Sequence, residues 1–351
     1  MRMDLSFVYE LPVWSQYIVF LLSFAIGAFA LIGFCNLFID NATLIAKKFR
    51  IPSLIIGLTI VAMGTSVPEL AVSISDSIQS LNTSTASNIA VGNVVGSNIS
   101  NILIVLSFGC MFAPIIIKKD NKVEIYILLF VSVLLTLFAF LFGTGSILGN
   151  NALLRWESLI FVILIFVYLS YIILSSKEKI KNTKKEEKEL DKIKIFKPMV
   201  YVILAIIGIA MGGETVVYGA KGFALNVANS LSIDSNMAET LVGLTIVAVG
   251  TSLPELVTTF IASKKGENEL ALGNVLGSNI FNIIFVLGIS GVVVRLGIAS
   301  AVLVDVLLML GVTILFFIFT LFGKLNRKHS IIFLSIYALY LIYLILRTIL
   351  L

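Results

Sequence analysis

Charge is what this sequence has least of. Only 13% of its 351 residues are Asp, Glu, Lys or Arg, against roughly 25% in an ordinary soluble domain. A soluble fold of this size would lack polar cover, so the composition excludes a soluble enzyme, a nucleic-acid binder and a disordered chain. Two cysteines and one histidine are too few for a thiolate or imidazole metal site. Cys35 and Cys110 lie in apolar runs, which argues against a disulfide framework. His329 sits beside Lys328 in a basic loop and is read as solvated. No His falls in an apolar run and no nucleophile–base pair appears there, so a membrane enzyme is not expected and no cofactor is implied.

Apolar residues are abundant: 59% are hydrophobic and the mean hydropathy is +1.07. A helix needs about 20 apolar residues to cross a bilayer. Ten runs qualify, at 17–39, 53–78, 89–116, 124–143, 157–175, 199–224, 238–263, 269–292, 300–322 and 330–349. The expected fold is an all-α membrane protein with ten transmembrane helices. The first run is too long, and too poor in small residues at its end, for a removed signal peptide.

The loops carry an orientation signal. With an outside N-terminus, the connections on one side hold 20 of the 25 Lys and Arg, and the other side holds Arg2, Arg155, Lys221, Arg295 and Arg347. Positive residues stay on the cytoplasmic side, so both termini are expected outside. The net charge of +5 is chiefly this mark, and attraction to anionic lipid is a lesser use of it. The one long charged stretch, residues 176–198, divides the chain into five-helix halves at 1–175 and 199–351 and reads as a cytoplasmic linker.

The halves repeat. The segment from Gly57 to Leu70 matches Gly243 to Leu256 at 12 of 14 positions, and Ala90 to Ile102 matches Ala271 to Ile283 at 10 of 13. The repeats span 57–102 and 243–283. The offset falls from 186 to 181, which puts five extra residues near Leu81–Ser87. An odd number of helices per half turns the second half upside down, the inverted pattern of secondary transporters with a site near the midplane.

The repeated residues suit a hard cation. Glu69 and Glu255 lie inside predicted spans, where an ionised side chain is costly and marks function. Pro68 and Pro254 each clash with the carbonyl four residues back, at Gly64 and Gly250, so each helix is expected to bend there and free carbonyl oxygens. Thr65, Ser66 and Glu69 share a helix face, as do Thr251, Ser252 and Glu255. Asn93, Ser97 and Asn101 form a stripe repeated by Asn274, Ser278 and Asn282. Asn93, Asn274 and the glycines of that helix are assigned to packing, and Asn98 and Asn279, off the stripe, to local hydrogen bonds. Carboxylate, hydroxyl, amide and carbonyl oxygens suit Ca²⁺ and Na⁺ rather than soft metals. Two carboxylates neutralise one Ca²⁺ or two Na⁺, and a third Na⁺ leaves one net positive charge. Crossing with both carboxylates bare is expensive, so the composition of the site favours exchange over leak. Glu214, a further acid inside a span and equivalent to Asn36, is expected to pack or to pair with Lys221.

At these residues the chain resembles the calcium/cation antiporter superfamily, closest to its sodium/calcium exchanger branch and the prokaryotic members. The signatures G-T-S-x-P-E and G-N-x-x-G-S-N-I each occur twice. The resemblance implies antiport of Ca²⁺ for Na⁺ by alternating access, with two gating helices sliding past a ligand core. It implies Glu69 and Glu255 as shared ligands with Thr65 and Thr251, and Ser66, Ser97, Ser252 and Ser278 at flanking Na⁺ sites. The carbonyls of Ala62 and Ala248 and the amide of Asn101 would contribute. Asn282 departs from the Asp of many relatives, which removes a titratable group and argues against K⁺ co-transport. The protein is expected in the cell membrane, working as a monomer with Ca²⁺ and Na⁺ as cargo. Proton-coupled Ca²⁺ exchange is the alternative, followed by a cation channel.

Overall fold

The computed structural model describes residues 8, 10–49, 51–83, 90–118, 121–142, 151–181, 195–230 and 248–350. The described residues are helical nearly throughout. Among the described residues, eight helices are long and apolar enough to cross a membrane: α1 (Val13–Phe49), α4 (Ala90–Met111), α5 (Lys122–Leu141), α6 (Arg155–Lys181), α7 (Phe196–Ser230), α10 (Asn268–Val293), α11 (Ser300–Thr320) and α12 (Arg327–Leu350). A ninth candidate span is the pair α2 (Ser53–Thr65) and α3 (Val67–Thr83), bent by 44°. These match nine of the ten expected runs, and the protein is a multi-pass membrane protein. Of the run at 238–263, residues up to 247 lie outside the described ones; α8 (Ala248–Thr251) and α9 (Leu253–Lys264) form its remainder. Most of the charged linker (182–194) and residues 84–87 of the stretch expected to hold the five extra residues (81–87) also lie outside.

The proline breaks form as the local chemistry dictates, two residues later than the glycines. Ser66 leaves the helix at φ −84°, ψ 8° and Ser252 at φ −87°, ψ 4°. In each case a proline follows two residues on, where its missing N–H costs nothing in a new first turn. Chain continuity survives through Leu70 N–H to Ser66 O (3.1 Å) and Leu256 N–H to Ser252 O (3.0 Å).

At the centre lie α4 and α10, the most deeply buried spans. Glycine sets how closely α10 meets α2. A Cβ on Gly57 would stand 2.6 Å from Leu270 O, and one on Gly273 would stand 2.5 Å from Leu54 O, so the backbones touch directly. On the outside, α1 and α7 run along each other. A Cβ on Gly219 would meet Phe20 O at 2.5 Å, and one on Gly212 would meet Leu31 N at 2.9 Å. At 37 residues, α1 is about 55 Å long, well beyond the roughly 30 Å apolar thickness of a bilayer.

Two short antiparallel ribbons join the halves. β1 (Ile115–Ile116) pairs with β4 (Lys324–Leu325), and β2 (Asn151–Leu153) pairs with β3 (Leu296–Ile298). β1 follows α4 and β3 follows α10. Among the described residues, α5 is the element between β1 and β2, and α11 is the one between β3 and β4.

The repeat continues past the motifs. At an offset of 181, Glu124 on α5 corresponds to Asp305 on α11, and both are buried. At 172, Arg155, Glu157, Ser158 and Tyr168 correspond to Arg327, His329, Ser330 and Tyr340. Glu157 Oε2 accepts the Leu154 N–H at 2.7 Å, and His329 Nδ1 accepts the Asn326 N–H at 3.2 Å. Each residue reaches back three positions to cap its helix. His329 is thus not a solvated loop residue: it is half-buried and its ring lies 4.6 Å from that of Phe319. Glu214 and Lys221 do not pair either. Both are exposed on α7, and among the described residues no ion pair joins them. Cys35 and Cys110 are buried and free.

Candidate cation site

Glu69 opens α3 and Glu255 opens α9, each just past its break, and both are fully buried. The break aims the first-turn carboxylate into the protein while the helix continues beyond it. The two carboxylates belong to one site, since Ser66, three residues before Glu69, reaches Glu255 Oε1. Ser97 on α4 donates to Glu69 Oε1 at 3.4 Å, and Ser66 at the first break donates to Glu255 Oε1 at 3.2 Å. Among the described residues the second oxygen of each carboxylate, Oε2, has no hydrogen-bond partner. A buried anionic oxygen with no donor is costly, and a cation is the natural remedy.

Neutral oxygens surround the pair. Thr65 Oγ1 lies 3.2 Å from Asn274 Oδ1 and 3.4 Å from Ser278 Oγ, both on α10. Ala62 O accepts Ser66 N–H at 3.0 Å and Thr65 Oγ1–H at 3.4 Å, so this carbonyl is engaged within the helix just before the break. Ser252 Oγ, both amide atoms of Asn101, and Asn282 Oδ1 are buried without partners among the described residues. Thr251 ends α8 half-buried, and Ala248 begins it. The contacts thus link Glu69 with Ser97, Glu255 with Ser66, and Thr65 with Ser278. No described hydrogen bond joins Asn101, Asn282 or Ser252 to a glutamate.

Two features escaped the sequence. First, α4 widens to a π-helix at Asn101–Val105 and α10 does so at Asn282–Leu287. Such widenings cluster at functional sites, and here each begins on an asparagine of the stripe. Second, Asn93 and Asn274 do more than pack. Asn93 Nδ2 donates to Glu69 O and Ser73 Oγ, each at 3.3 Å. Asn274 Nδ2 donates to Glu255 O at 3.4 Å and Thr259 Oγ1 at 2.9 Å. Each clamps the turn that carries its glutamate. Ser73 and Thr259 are equivalent at the offset of 186, and that match was the available signal. Asn98 is not a local partner: it bonds to Asn279 and Asn282 of the other half.

The chain is similar to known proteins over most of its length. The family described as sodium/calcium exchanger protein matches residues 19–174 and 197–346. Sodium/calcium exchanger MaX1 of Methanosarcina acetivorans is 31% identical, over 90% of this chain and 96% of its own. Inner membrane protein YrbG of Escherichia coli is 33% identical, over 72% of this chain and 73% of its own. A structure of the sodium-calcium exchanger NCX_Mj, soaked with Na⁺ and Sr²⁺, superposes with a TM-score of 0.75 at 27% identity, covering 92% of this chain and 97% of that one. The family match takes in both halves, and with them both broken helices and both glutamates: this chain belongs to the sodium/calcium exchanger protein family.

Proposed function

We propose that the protein is a secondary antiporter of the cell membrane that exchanges Ca²⁺ for Na⁺ by alternating access, with Glu69 and Glu255 as ligands shared by the two cations. The observation that carries this reading is the pair of buried carboxylates, each with one oxygen held by a serine and the other without a donor among the described residues. Thr65 and Thr251 complete the Ca²⁺ site. Ser66, Ser97, Ser252 and Ser278, with the carbonyls of Ala62 and Ala248, serve Na⁺. Asn101 and Asn282 supply neutral amide oxygens between them. The exchange follows from charge: one Ca²⁺ or two Na⁺ neutralises the pair, a third Na⁺ adds one positive charge, and the bare pair is too costly to reorient.

Ten spans in two inverted halves, with both termini outside, fit this mechanism. The distribution of Lys and Arg supports the orientation. The ribbons support the inversion: β1 and β3 follow equivalent spans, yet each is paired with a strand one span removed from the other. The sliding elements are α1 and α7. Their contact through Gly27, Gly212 and Gly219 supports movement as one unit against the core, in a monomer surrounded by lipid.

The test is uptake of radioactive Ca²⁺ into proteoliposomes under imposed Na⁺, K⁺ or H⁺ gradients. Uptake driven by internal Na⁺, and lost in Glu69→Gln and Glu255→Gln, is expected. Uptake driven by a proton gradient alone would replace Na⁺ with H⁺. Na⁺-driven uptake retained in both variants would remove the site.

A further inference from the structure

Asn98 stands outside the ligand stripe, yet its side chain is fully committed within the core. Nδ2 donates to the backbone carbonyl of Asn279 at 3.2 Å and faces Met309 Sδ at 3.9 Å; Oδ1 accepts from Asn282 Nδ2 at 3.1 Å. A carbonyl oxygen can only accept, so the NH₂ of Asn98 must face Asn279, and its oxygen must face residue 282. Residue 282 therefore has to present a donor. Asn282 does, and this turns its own Oδ1 away from Asn98, where it is buried with no partner among the described residues. Asn98 and Asn282 are at most 1% exposed, so bulk solvent does not reach either amide.

The opposite half lacks this device. Asn279, the equivalent of Asn98, donates to Val275 O in its own helix at 2.7 Å. Asn101, the equivalent of Asn282, has neither amide atom bonded among the described residues. One amide at the π-helix starts is therefore fixed in orientation and the other is not.

We infer that Asn98 is a positioning residue for the cation site: by holding the amide nitrogen of Asn282, it fixes position 282 as a neutral oxygen ligand. An aspartate at 282 would set a carboxylate against Asn98 Oδ1. It would have to carry a proton, or Asn98 would have to turn over and lose Asn279. The arrangement keeps the site at two carboxylates rather than three. The inference rests on the cation-exchange reading above, and it goes beyond it by giving a residue that touches no cation control over one that does.

A double-mutant cycle on Ca²⁺ uptake tests it, using the full chain in proteoliposomes with Asn98→Ala, Asn282→Ala and the double variant, and Asn98→Thr in parallel. Asn98→Ala is expected to raise KM for Ca²⁺ about three- to tenfold, the scale of one lost hydrogen bond, with maximal rate within about twofold of the wild type. Asn98→Thr, which keeps a hydroxyl acceptor, is expected to fall between wild type and Asn98→Ala. In the Asn282→Ala background the Asn98 substitutions are expected to change nothing further. Additive KM effects, or a fall in maximal rate with KM unchanged, overturn the inference. Wild-type uptake driven by H⁺ and not Na⁺ overturns the choice of coupling ion alone, because the KM comparison still reports on Asn98. No Ca²⁺ uptake by the wild type overturns both.

Discussion

Ser66 Oγ donates to Glu255 Oε1 at 3.2 Å across the boundary between the halves. The helix break of one half thus supplies the donor that holds the carboxylate of the other. Ser66→Ala removes a hydrogen bond to a charged group, worth about 1.5–3 kcal/mol, and also a hydroxyl ligand. The half-saturating Na⁺ concentration for exchange is expected to rise at least about tenfold. KM for Ca²⁺ in Ca²⁺/Ca²⁺ exchange is expected to change less, because Glu255 remains. Flux under varied Na⁺ separates the two, and equal shifts in both would place Ser66 at a common site.

Glu69→Gln and Glu255→Gln each leave a bound Ca²⁺ with a positive charge uncompensated in the core. Removing one partner of a buried ion pair costs about 3–5 kcal/mol, so Ca²⁺ uptake is expected to drop at least about a hundredfold in either variant. Acidification acts in the same direction, since a proton and a cation compete for the same oxygens. Wild-type uptake measured from pH 8 to pH 5.5 is expected to fall with pH, and the loss is expected to be relieved by raising Ca²⁺.

Gly219→Val forces α1 and α7 apart, because the added Cβ would sit 2.5 Å from Phe20 O. Overpacking of this kind costs about 1–3 kcal/mol, and a lowered thermal midpoint in detergent with slowed exchange is expected. Gly33→Ala on the same helix pair meets nothing within 4 Å and gains helix propensity. It is expected to keep both stability and transport.

Arg347 Nη1 meets Asp305 Oδ2 at 3.1 Å and Ala301 O at 3.1 Å, which ties α12 to α11. Both side chains are nearly buried. Arg347→Met strands Asp305 and is expected to destabilise the protein by about 3 kcal/mol. The double variant with Asp305→Leu is expected to recover most of that. Thermal unfolding in detergent reads both, and a double variant no more stable than Arg347→Met would show that the pair is not the tie.

What the sequence discloses here depends on what each element needs. The glutamates are legible because a charge in an apolar run has no structural excuse, and the breaks because proline cannot continue a helix. The break falls at Ser66 and Ser252 rather than at Gly64 and Gly250: Pro68 and Pro254 have no N–H to give the carbonyl four residues back, so a new helix starts at Val67 and Leu253 with the proline in its first turn. The π-helices at Asn101 and Asn282 carry no compositional mark, because one extra residue per turn changes spacing and not residue type. Asn98 looks local in the sequence because its partners lie 181 and 184 positions away, a relation only packing reveals. Glu124 with Asp305, and Glu157 with His329, were hidden by substitution: the positions repeat while the residues differ.

The two ribbons have a consequence for how such a molecule can be made or divided. Each consists of one strand from the first half and one from the second, so neither half can close its own ribbons. A chain cut in the charged linker would yield two fragments, each with two strands lacking a mate. Such fragments have reason to find each other, as swapped partners do. The single chain is, in this respect, a dimer of unlike copies whose exchange of strands has been made permanent by a peptide bond.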